Sequence, residues 1–430
     1  MKKTLFAVLA ASSLLFAESY QINTLSAKQL GMGHTGAGIK LGSESMHFNP
    51  GGLGFLDKKL DISAGVTFIM PEVEFHGSQG KAVNEKMGTP LYVFAASSIT
   101  DWFTAGLSFT TPYGNSADYG KNWEGAGLLQ DISLAVYALQ PTVAFKVRDD
   151  ISIGVGPAIY FGSFEQSKDM ELAKKGLPVP ANAMSVNVSG DADVAVAANV
   201  GILYDLLPNK LALGVGYRSE AKMKVAKGKP EISYASPAIK TALSSNPMLK
   251  GGVIDPLESS KLKAELPLPA NLNTGISFRP TEKLLLAFDW QMVFWKAYEK
   301  LTMDFGNPTL NSESLKNYHN TDAYRLGAQY TVIDQLDVRL GVYYDETPVD
   351  DDYLTPESPS TNKLGTTIGF SFRPIPNLSI DASFLYSNGA GLLGRDATSE
   401  SNPAKGKDDG LDGRYEVHAF VPSVGVSFNF

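Results

Sequence analysis

Five histidines, His34, His47, His76, His319 and His418, are the imidazoles available to this chain for proton transfer or metal ligation. None stands at an H-E-x-x-H or other paired ligand spacing, and with no cysteine there is no thiolate, so no metal site is expected. The acidic runs Asp350-Asp351-Asp352 and Asp408-Asp409 offer carboxylates in series but lack the twelve-residue calcium loop, and they read as solvated loop charge. No G-x-S-x-G elbow or comparable nucleophile motif occurs; no catalytic residue is assigned, and the chain is read as not an enzyme. The run Gly31-Met32-Gly33-His34-Thr35-Gly36 matches the G-x-G-x-x-G dinucleotide pattern letter for letter. That pattern works only between a strand and a helix, and here a polar segment precedes it, so no cofactor is expected.

Such weak chemistry moves attention to the scaffold. The chain of 430 residues carries a net charge of -8, which offers no basic field for nucleic acid. At the amino terminus Lys2 and Lys3 precede an apolar run over 5–16, and small residues follow at Ala17 and Ser19. This is the layout of a secretory signal peptide over 1–19, with cleavage between Glu18 and Tyr20. No later run approaches the roughly 18 apolar residues of a spanning helix, which excludes a helical membrane protein.

The end of the chain alternates instead. Val424, Val426, Phe428 and Phe430 are bulky and apolar, while Ser423, Gly425, Ser427 and Asn429 fall between them. A period of two with an aromatic carboxyl terminus predicts a closing strand between lipid and a polar interior. The same rhythm predicts fourteen strands near 60–70, 91–99, 103–111, 139–147, 151–161, 192–205, 210–219, 265–279, 283–297, 321–331, 335–344, 362–373, 377–386 and 415–430. Short links such as Arg148-Asp149-Asp150 alternate with long polar or Gly/Pro-rich ones, the rim asymmetry of an outer-membrane barrel. The predicted fold class is all-β: a 14-stranded antiparallel transmembrane β-barrel over 60–430. Its expected location is the Gram-negative outer membrane, among lipid and lipopolysaccharide. Residues 20–59, rich in glycine and without sustained alternation, are expected to form a compact hatch or plug in the lumen.

Several stretches carry a family resemblance: GMGHTGAG followed by ESMHFNPGGL, then LPLPANLNTGISF, NTDAYRLGAQY, LDVRLGVYYDETPV and the terminal Phe430. In order and spacing they resemble the FadL-type long-chain fatty-acid and aromatic-hydrocarbon transporters over nearly all of the mature chain. The resemblance implies a plugged barrel that takes up a hydrophobic small-molecule ligand by passive diffusion, working as a monomer. It places Asn49, Pro50 and Gly51 at the family's Asn-Pro-Ala hatch motif, with glycine replacing alanine. It implies first capture at an apolar groove between the third and fourth long loops, where Met170, Leu172, Ile239, Leu243, Met248 and Leu249 have helical spacing. Those side chains would otherwise pack the loops together. A kink in the third strand would open a lateral exit into the bilayer. Arg218, Arg325, Arg339 and Arg373 point inward by parity, either to meet a ligand carboxylate or to form charge ladders with Asp289, Asp337 and Asp381. An adhesive barrel binding a host or phage partner is the alternative reading.

Overall fold

Fourteen strands of the computed structural model close on themselves. The structure describes residues 19–172, 179–180, 182–350, 353–389, 398–401, 411 and 413–430. The signal-peptide assignment therefore lies outside the described residues, apart from Ser19. The first seven strands are β1 (Leu60–Thr67), β2 (Leu91–Thr100), β3 (Phe103–Asp118), β4 (Asp131–Arg148), β5 (Ile151–Asp169), β6 (Met184–Leu207) and β7 (Leu211–Arg218). The second seven are β8 (Asn271–Thr281), β9 (Leu284–Val293), β10 (Thr321–Ile333), β11 (Leu336–Asp345), β12 (Lys363–Ile375), β13 (Leu378–Asn388) and β14 (Gly413–Asn429). Each is antiparallel to the next, and β14 returns to β1 in a register running from Asp61 opposite Asn429 to Thr67 opposite Ser423. Closure leaves no edge of unpaired N–H and C=O groups in hydrocarbon, where each would cost several kcal/mol.

Parity decides which side chains meet lipid. On β14, Val424, Val426 and Phe428 are turned outward while Ser423 and Ser427 are buried inside. Further toward the long loops the outward positions of the same strand change to His418, Glu416 and Arg414. Charged side chains belong above the apolar band, so that change marks its upper limit at Phe420.

Short turns and long connections alternate, but the strands outrun the sequence expectation on the long-loop side. β3 continues to Asp118 rather than 111, β4 starts at Asp131 rather than 139, and β6 starts at Met184 rather than 192. Above the bilayer a strand no longer has one face in lipid, so the alternation fades while the backbone ladder continues. The expected strand over 265–279 is two elements. Pro269 has no N–H for a ladder, and the chain breaks there into Leu262–Leu268, which pairs with Ala221–Tyr234, and β8. The expected strand over 283–297 stops at Val293, and Trp295–Ala297 form a 3-10 turn.

Candidate functional site

Residues 20–56 pack against inward-facing positions around most of the wall. Irregular backbone in such a place must find partners, and short inward polar side chains supply them. Thr67 Oγ1 donates to Thr24 O (2.9 Å), Ser277 Oγ to Gly38 O (2.6 Å) and Gln140 Nε2 to Met46 O (2.7 Å). Asp289 Oδ2 accepts from the amides of Gly36 (2.6 Å) and Ala37 (2.8 Å). Glu44, buried, accepts from Ser26 (2.6 Å) and from Ser63 on β1 (2.5 Å).

Asn49, Pro50 and Gly51 sit together at one junction. Asn49 Nδ2 donates to Ala37 O (2.7 Å) and Ile202 O (3.0 Å), while its Oδ1 caps the following 3-10 turn through Gly51 N (3.0 Å). Pro50 lies against Gly154 of β5, where a Cβ would run into the Pro50 carbonyl. Backbone cannot swing aside as a side chain can. Gly154→Val is therefore expected to leave the barrel assembled yet push the segment off its wall; protease cleavage within 20–56 that matches the parent would refute this.

The four arginines divide between two polar cavities and the rim. Arg218 and Arg325 line one of about 490 Å3 with Asp289, His34 and His47. Arg218 Nη2 donates to His47 O (3.1 Å) and meets its Nδ1 at the same distance, and Arg325 donates to Gln291 Oε1 (2.6 Å). Arg339 lines a second cavity of about 860 Å3 toward the short turns and donates to Ser371 (2.6 Å) and Gln329 (2.8 Å). Arg373, near the rim, grips Asp337 with both terminal nitrogens (2.6 and 3.0 Å).

His34 is buried and His47 half-buried beside these guanidinium groups. Burial and then Arg325 push the His34 imidazole down to about 3, with a weaker opposing pull from the Asn23 carbonyl; burial and then Arg218 push His47 in the same direction. Released into water each would titrate near 6.5, so the released segment binds protons that the docked one does not. Docking is at full strength above that value and weakens as pH falls toward 3. Protease accessibility of residues 20–56 should accordingly rise between pH 7 and 4 and stay level between 7 and 9. His34→Gln should flatten the acid limb, and an unchanged limb in that variant would refute the assignment.

Toward the long loops lies an apolar cavity of about 780 Å3, lined by Tyr20, Ile132, Leu134, Phe164, Met223 and Leu266 among others. Aromatic rings close its side: Tyr20 stands edge-on to Trp295 (4.9 Å between centroids) and Tyr298 (5.7 Å), and Tyr298 to Tyr318 (5.0 Å). Lys316, buried, also lines it and is ion-paired to Glu357. No sequence pattern marked this chamber, because its walls come from eight or more separate stretches.

Beside it, β3 changes partners. A bulge between Thr110 and Tyr113 contains Pro112, and β2, which begins at Leu91, reaches β3 only as far as Thr110. Beyond that, residues 20–22 take over the edge: Ile22 N donates to Pro112 O and Gly114 N to Tyr20 O, both at 2.8 Å.

The loop residues are partly gathered. Leu172, Leu243 and Leu249 are buried in one cluster with Met170 and Ile239 against it, whereas Met248 is 84% exposed. The reason is local. Ser236 caps the helix Pro237–Ser244, which ends at Ser245; Asn246 then caps a new turn from Pro247, and the helical spacing does not carry through to Met248. Of the two acidic runs, Asp350 is exposed, and Asp351, Asp352, Asp408 and Asp409 lie outside the described residues.

A closed fourteen-stranded wall, apolar outside and lined with polar side chains within, defines a transmembrane β-barrel of the outer membrane. The match to known proteins agrees: this chain belongs to the family described as "Outer membrane protein transport protein (OMPP1/FadL/TodX)", whose model covers residues 8–430. It is 24% identical over 396 residues to the 47 kDa outer membrane protein of Pasteurella multocida, covering 89% of this chain and 90% of that protein. It is also 24% identical over 444 residues to a long-chain fatty acid transport protein of Escherichia coli, covering 94% and 97%. Among solved structures, a Pseudomonas aeruginosa FadL homologue superposes with a TM-score of 0.81 at 20% identity over 96% of this chain and all of the other. The Pseudomonas putida toluene transporter TodX superposes at 0.69 and 14% identity, over 97% and 99%.

Proposed function

We propose that this barrel admits hydrophobic small molecules, long-chain fatty acids or aromatic hydrocarbons, across the outer membrane as a monomer and by passive diffusion. The aromatic-walled apolar cavity carries this reading. A poorly water-soluble ligand gains roughly 25 cal/mol per Å2 of apolar surface it buries there, whereas a water-filled pore would offer nothing. Residues 20–59 act as the plug that keeps the lumen from being such a pore. The loop cluster around Leu172, Leu243 and Leu249, with Met248 at its exposed margin, serves as the outer groove of first capture. The exit is the β3 edge at residues 111–116: residues 20–22 are its partner, and withdrawing them would open a lateral way from the apolar cavity into lipid.

Uptake tests the reading. A strain lacking this gene should take up labelled oleate or toluene more slowly than the same strain complemented with it, and Leu134→Glu, which puts a charge in the cavity, should fail to complement. Equal uptake in all strains across both ligands would sink the proposal, and loop-dependent binding of cells or phage would then favour adhesion. Competition of oleate against toluene identifies the preferred class.

A further inference from the structure

Above the lipid band, the ribbon formed by residues 70–77 and the upper half of β14 has two faces. Val73, Phe75, Tyr415 and Val417 point in and are buried, so Glu74, His76 and Glu416 point out. The register sets Glu74 directly opposite Glu416, and His76 follows Glu74 on the same face by strand parity. One ligand atom from each of the three lies within 4.8 Å of the others. His76 Nε2 is shielded from solvent and stands 3.2 Å from Glu74 Oε2, close enough to pair with it. Two like charges directly across a ladder repel, and cations from the chain balance them here: Lys81 ion-pairs with Glu74, and Arg414 Nη2 with Glu416 Oε1 at 2.5 Å.

We propose that Glu74, His76 and Glu416 form a binding site for a divalent borderline cation of the Zn2+ type on the outer ribbon. Zinc at about 2.1 Å from each ligand needs donor atoms about 3.4 Å apart, so these half-buried side chains need close by little more than about 1 Å. One imidazole with two carboxylates suits zinc, nickel or copper, whereas calcium requires six or more oxygens. Water completes the coordination, and Lys81 is the competitor that the metal displaces from Glu74. Bound metal would pin the 70–77 strand to β14 independently of any transport through the lumen. The sequence hides the site because Glu416 lies far along the chain from Glu74 and meets it only through ring closure.

The test is isothermal titration of Zn2+ alone into the full, untagged chain in detergent at pH 7, with Ca2+ as control. Heat-modifiable migration on gels confirms that each barrel is assembled. One zinc per chain is expected, unaffected by excess Ca2+. His76→Ala and Glu416→Gln should each weaken binding at least tenfold, and Lys81→Ala should tighten it several-fold. Absence of saturable zinc binding below millimolar concentration, parent-like affinity in both ligand variants, or unchanged or weaker affinity in Lys81→Ala would overturn the proposal.

Discussion

Deleting residues 21–56 is expected to raise single-channel conductance to small ions by about tenfold or more, because a barrel of this strand number leaves a water-filled bore once nothing stands in it. The inward face that would be exposed is already polar. Asp289 accepts hydrogen bonds from that segment and Gln140, Ser277, Thr67 and Ser63 donate to it, and water would replace it at each. The wall should survive, since its strand ladders do not run through the deleted residues apart from the short edge at 112–114. Conductance in planar bilayers, with the migration of the folded barrel on gels as control, measures the effect. A deletion variant that assembles and conducts no more than the parent would mean that the segment does not close the lumen.

Placing a charge on the other face should cost the wall itself. Phe384 on β13 faces outward between Ser383 and Leu385, both buried, and its ladder neighbours are Ile368 and Pro422. Phe384 lies one outward position below the level of Phe420, so Phe384→Arg puts a guanidinium in hydrocarbon between the midplane, where it costs about 2–4 kcal/mol, and the interface, where the cost falls to about 1 kcal/mol or less. The folded fraction in a urea titration in lipid vesicles should fall accordingly, while Phe384→Leu should fold nearly as the parent. Parent-like stability of the arginine variant would refute the register given for β13.

Both experiments separate what is local in the chain from what is not. The number of strands, their faces and the alternation of short and long connections were legible, because lipid on one side and polar lumen on the other imprint a period of two on consecutive residues. Where a strand leaves the bilayer the imprint stops, so β3, β4 and β6 extend beyond what the alternation marks. Pro269 was visible in the sequence, but its consequence, a strand handed over to the 221–234 ribbon, depends on which neighbour lies in reach. Helical spacing is legible in the loop segments around Met170, Leu172, Ile239, Leu243, Met248 and Leu249, but Asn246-Pro247 restarts the helix and turns Met248 away.

By itself, then, the order of residues determined a barrel: membrane-facing parity is written between neighbours, and its energy is paid residue by residue. The tertiary structure alone decided what meets inside and above it. Asp289 finds the amides of Gly36 and Ala37, Arg218 finds His47, and Glu74 finds Glu416. These partners are separated by long stretches of chain and come together only when the cylinder closes, so no spacing between adjacent residues records them.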